Sequence, residues 1–235
     1  MLVAAAVCPC PPLLVPEVAA GAAPELDAAR NACADALGVL AAARPDLLVV
    51  VGAADEHGRG PHAAGATGSF HGFGVDIDVR LGAGEGQERP LPPSLAVGAW
   101  LLTRAHWADA PVEGLGVGET LAGERCLAAG RELGARAERV ALLVMGDGSA
   151  CRTLKAPGYL DERAADFDEG VARALGAADL EALKVLDASL AYELKAAGRA
   201  PWQVLAGAAE GAGLAGQLLY EDAPYGVGYF VAAWS

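Results

Sequence analysis

Residues 2–18 read LVAAAVCPCPPLLVPEV, and the reading of this stretch decides the fold. Leu2 to Val7 is a short apolar run that stops at Cys8-Pro9-Cys10-Pro11-Pro12. Proline has no backbone donor and cannot continue a central strand. The run therefore reads as a buried strand, and the turn marks its carboxyl end. Open α/β sheets place their sites at such ends. Two later runs end in the same way. Asp46 to Gly52 (DLLVVVG) leads into Ala53-Ala54-Asp55, and Glu138 to Gly146 (ERVALLVMG) leads into Asp147-Gly148-Ser149. Neither alternates, which suits a parallel sheet covered on both faces.

Helical patterns fill the intervals. Leu26, Ala29, Cys33, Leu37 and Leu40 recur at helical spacing and predict a helix over 24–43, ended by Pro45. Further helices are expected over 92–107, 119–133 and 160–175, one or two over 180–197, and one from Pro201 to about residue 210. Residues 53–74 read as a long loop holding Asp55, Glu56, His57, His62 and His71, and long loops are often functional. Residues 74–81 alternate as a strand, and 216–221 with 226–234 read as a closing pair. Strands alternating with helices predict one α/β domain over 1–235.

Composition narrows the function. The net charge of −13 argues against nucleic acid, whose phosphates demand a basic face. The mean hydropathy of +0.31 is high, but much of it is alanine, and no run reaches the roughly 20 apolar residues of a membrane span. No basic residue precedes the first apolar run, so a signal peptide is not expected and a cytoplasmic location is. Cys8, Cys10, Cys33, Cys126 and Cys151 are odd in number and lack a CxxC pair, so they read as free thiols. Gly114-Leu115-Gly116-Val117-Gly118 does not complete a dinucleotide fingerprint. The alanine-rich apolar surface suggests a homodimer.

The run Pro9-Cys10-Pro11-Pro12-Leu13-Leu14-Val15-Pro16-Glu17 resembles the opening of the LigB-like superfamily, the class III extradiol ring-cleaving dioxygenases and their relatives. Gly52, Gly146-Asp147-Gly148-Ser149, Phe167-Asp168-Glu169 and Gly198-Arg199-Ala200-Pro201-Trp202 follow in the family's order. The resemblance implies a three-layer α/β/α fold with a central mixed sheet, Fe(II) held by two histidines and a carboxylate, and a small aromatic ligand. The sequence departs from that ligand set. The first family histidine falls at Cys10 and the second near Asp55 or His57. The proton-moving histidine falls at Ala150, beside Cys151, and the glutamate falls near Ala196, with Glu193 the nearest carboxylate.

The site residues therefore carry alternatives. Cys10 reads as a soft metal ligand, as a nucleophile, or as a small buried side chain left where a metal was lost. Cys10, Asp55 and His57 together would make a three-donor site, with zinc, iron or no metal in it. Against this stands a solvated acidic loop. Asp147 and Ser149 sit where backbone N–H groups can face a ligand, although an aspartate there also ties turns. Cys151 stands next to Arg152, which would favour its thiolate. Three functions follow: a dioxygenase-family protein whose iron site is substituted and whose ring cleavage is lost, a metal-dependent oxidoreductase using Cys10, Asp55 and His57, or a non-enzymatic scaffold for a small molecule or protein. A hydrolase or transferase using Ser149 or Cys151 is a further alternative.

Overall fold

The structure is a computed structural model that describes residues 1–235. The chain runs β1 (Leu2–Cys8), α1 (Pro16–Ala19), α2 (Asp27–Ala42), β2 (Leu47–Ala53), β3 (Gly60–His62), β4 (Thr67–Ser69), β5 (Asp78–Arg80), α3 (Pro93–Arg104), β6 (Val112–Val117), α4 (Gly123–Gly134) and β7 (Val140–Met145). It continues with α5 (Arg163–Ala177), α6 (Leu180–Lys184), α7 (Ala188–Glu193), α8 (Arg199–Ala208), β8 (Gly216–Asp222) and β9 (Tyr229–Trp234). Seven strands form one mixed sheet in the order β3-β6-β2-β7-β1-β9-β8. β6, β2, β7 and β1 are mutually parallel, while β3 and β9 run against their neighbours.

Both faces of the sheet are covered, which makes three layers. Ala4, Ala6 and Cys8 pack with α2 and α3 on one side. Leu2, Ala5 and Val7 pack with α4, α5 and α8 on the other. This two-sided burial is why the central strands lack alternation. No helix is long and apolar enough to cross a membrane.

Several elements differ from the sequence reading. The helix expected over 24–43 begins at Asp27, because Pro24 lies in a 3-10 turn over Ala20–Leu26. The loop expected over 53–74 contains β3 and β4, and the strand expected over 74–81 shrinks to β5, which pairs with β4 in a separate ribbon. The helix expected over 119–133 starts only at Gly123. β6 was not expected at all. Its Gly114 and Gly116 resemble turn punctuation, yet they allow β3 and the 58–60 turn to lie against it. A Cβ on Gly116 would strike the Gly58 carbonyl.

α4 and α8 cross in close backbone contact through Gly130 and Gly207. A Cβ on Gly130 would strike the Val204 carbonyl, and one on Gly207 the Leu127 carbonyl. Gly130→Ala should therefore destabilise the protein by about 2 kcal/mol. Gly170→Ala, in α5 with no atom closer than 4.0 Å to the new methyl, should stabilise it by about 0.5–1 kcal/mol. Urea unfolding of the two variants checks both signs.

Candidate functional site at the strand ends

The carboxyl ends of β1 and β7 lie side by side, with Cys8 opposite Met145. The helix after β1 covers one face of the sheet and the helix after β7 covers the other. Their turns therefore diverge to opposite faces at a switch point of the strand order. Cys10 and Asp147 meet there. The Cys10 N–H donates to Asp147 Oδ1 at 2.7 Å. The Gly198 N–H donates to the Asp147 carbonyl at 2.8 Å, so α8 is anchored to the same turn.

These contacts set the site's electrostatics. Burial pushes the Asp147 carboxyl up to about 6, against the pull of the Cys10 N–H and thiol. Burial also pushes the Cys10 thiol well above its usual range, and the Asp147 charge adds to this. The Tyr229 phenol on β9 is raised by burial and by the same two groups. At neutral pH this contact thus holds a carboxylate beside a protonated thiol, not an activated thiolate.

A second carboxylate lies deeper. Asp168, on α5, is fully buried. Its Oδ1 accepts the Ser149 N–H at 2.8 Å and its Oδ2 accepts the Ser149 hydroxyl at 2.7 Å. Arg152 Nη1 donates to the same Oδ2 at 3.1 Å. Burial raises the Asp168 carboxyl, and the Ser149 and Arg152 bonds oppose this. Gly148 and Gly228 pack so closely that a Cβ on either would fall within 2.8 Å of an Asp168 oxygen.

Ser149 and Cys151, read as catalytic candidates, hold other positions. Ser149 is fully buried and committed to Asp168. Cys151 is buried, and its thiol points at the Leu194 carbonyl 3.5 Å away. Its pKa is raised by burial, with Asp161 adding to this, not lowered by Arg152. The adjacent guanidinium turns to Asp168 instead.

The three metal candidates are not brought together, and no group of three potential ligands capable of holding a metal forms anywhere in the chain. Asp55 and His57 are exposed and face a recess of about 170 Å³ walled by Gly58, Arg89 and the segment 90–93. No residue of the Cys10 or Asp147 turns lines it. Asp55 caps its own turn by accepting the Gly58 N–H at 3.0 Å. His62 is buried, with Nε2 2.8 Å from the Gly58 carbonyl and Nδ1 2.9 Å from Gln87 Nε2, which makes it a tie within the loop. His71 lies at the surface beside Asp76 and Asp78. Glu193, the nearest carboxylate to Ala196, pairs with Arg163 at 2.8 Å on the surface.

Two residues named from the sequence only within the family-like motifs, and not as site residues, shape this edge. The sequence signal for a buried role of Asp168 is that it interrupts the stripe Ala164, Val171, Leu175 of α5. Arg199 is buried without a carboxylate partner. It donates to the carbonyls of Glu119 and Leu121 and to Gln203 Oε1, which fixes the loop after β6.

No family model matches the chain, and no curated protein matches it. Among solved structures, the crystal structure of the uncharacterized protein JW3007 from Escherichia coli K12 is similar over 99% of both chains, with a TM-score of 0.56 and 18% identity. This likeness shows the fold.

Two outcomes follow. Asp147 has a raised carboxyl, so its contribution to stability is present below its ordinary 3.8 and lost as pH rises through about 6. The stability of Asp147→Asn relative to the unsubstituted protein should therefore rise by something on the order of 2 kcal/mol between pH 4 and pH 7.5. Denaturant titrations at both pH values measure this. Ser149→Ala removes a bond from a fully buried carboxylate and should cost about 2 kcal/mol, read as a shifted denaturation midpoint.

Proposed function

We propose that this chain is a divergent relative of the class III extradiol dioxygenases that keeps their strand-end layout, has lost iron-dependent ring cleavage, and binds a small aromatic acid. The observation that carries the reading is the Cys10–Asp147 pair. The residues at the ends of β1 and β7 engage each other, while Asp55 and His57 face a separate recess. The order of the proline, Gly-Asp-Gly-Ser, Phe-Asp-Glu and Gly-Arg-Ala-Pro-Trp motifs supports the relationship.

The residues present do not fit Fe(II) held by two histidines and a carboxylate. A protonated thiol stands at Cys10, and alanines stand at 150 and 196. Glu193 is taken up by Arg163. Ferrous iron favours imidazole and carboxylate donors over a lone buried thiol. A ligand would sit in the cavity of about 490 Å³ lined by Thr153, Leu154, Lys155, Pro224 and Tyr225. It lies between the segment after Ser149 and the β8–β9 turn. Tyr225, Pro224 and Leu154 offer apolar walls for a ring, and the Lys155 ammonium offers a partner for a carboxylate.

The test is metal content with oxygen uptake. The protein is purified anaerobically without a metal-binding tag, and iron, zinc, copper and manganese are measured per chain. Well under one equivalent after iron reconstitution, and no oxygen consumption with catechols, are the expected results. Benzoate binding should weaken about tenfold in Lys155→Ala. Near one equivalent of metal, lost in Cys10→Ala, would overturn the proposal.

A further inference from the structure

The two edges of the seven-stranded sheet are finished differently. At one edge, β3 is three residues long and contains Pro61, which has no N–H to offer. Arg89 donates to the carbonyls of Arg59 and Pro61, so the outward acceptors there are already engaged. Short strands, prolines and capping side chains are the usual means of closing a sheet edge.

The opposite edge has none of these. β8 is seven residues long, GQLLYED, without proline, lysine or arginine. Beyond its ladder with β9, no residue from Gln217 to Glu221 gives or accepts a backbone hydrogen bond. Leu218, Leu219 and Tyr220 at its centre are only half-buried. The one edge-blunting device it carries is a bulge at Leu219, which adds local twist but leaves the outward backbone groups without partners.

We infer that β8 pairs antiparallel with β8 of a second copy of this chain, joining two sheets across a twofold axis at Leu219. An isologous contact requires a self-complementary surface, and this strand provides one. With the axis at Leu219 all seven residues overlap. Gly216 then opposes Asp222, Gln217 opposes Glu221, and Leu218 opposes Tyr220. The two carboxylates face an uncharged partner in every pair, and the apolar centre meets itself. Moving the axis two residues along would set Glu221 against its own copy. The fully overlapped register is thus also free of like-charge opposition, which matters for a chain of net charge −13.

Sedimentation velocity on the full chain under reducing conditions is the first test. The expected species has twice the 23.7 kDa mass of one chain. Leu219→Lys sets two ammonium groups across the axis and should yield a folded monomer. Register is read by cysteine cross-linking with diamide, since the five native thiols are buried. Leu219→Cys should give a covalent dimer, and Gln217→Cys should not, because its opposite residue is Glu221. This arm stands even if Leu219→Lys fails to fold. A monomeric unsubstituted chain, a folded Leu219→Lys dimer, or Gln217→Cys cross-linking as readily as Leu219→Cys would each overturn the inference.

Discussion

The strand-end architecture depends on one buried carboxylate. Asp168 sits on α5, beneath the turn that follows β7, with no access to water. An ionised carboxylate in that place is costly unless its oxygens are fully engaged. The Ser149 N–H, the Ser149 hydroxyl and Arg152 engage them. Space for those bonds exists because 148 and 228 are glycines. The turns are further tied by Gly148 N–H to the Gly228 carbonyl and Gly228 N–H to the Ser149 carbonyl. One charge thus joins α5, the turn after β7 and the start of β9, and so determines where Asp147 stands. The Gly-Asp-Gly-Ser motif reads best as the housing of Asp168.

The Cys10–Asp147 contact itself follows from a different arrangement. Cys10 and Asp147 lie where two neighbouring strands send their chains to opposite faces. That geometry is common to many α/β proteins and carries no activity of its own. Its chemistry is set by the side chains placed there, here a partly buried carboxylate and a thiol kept protonated. Burial holds the Asp147 carboxyl up at about 6, against the pull of the Cys10 N–H and thiol.

The sequence spoke clearly wherever burial is two-sided. β1, β2 and β7 are continuous apolar runs, and β9 is nearly so. β6 was hidden because its glycines serve close packing against β3 and the 58–60 turn, a need that appears only in three dimensions. At the site, the proximity of Cys10 to Asp147 follows from β1 and β7 being neighbours, which no local pattern states. The grouping of Cys10 with Asp55 and His57 failed for a related reason. β7 intervenes between β1 and β2, and Asp55 caps its own turn at the far side.

The strand order also constrains how the sheet can assemble. β1 draws both of its neighbours, β7 and β9, from Val140–Met145 and Tyr229–Trp234, and shares no ladder with β2. Closing such long intervals costs chain entropy before any pairing repays it, and sheets dominated by distant pairings fold slowly. Until β7 arrives, the apolar run LVAAAVC has no partner on either side, and a strand left in that condition is open to pairing with other chains. The segment that begins the fold is therefore among the last to be secured.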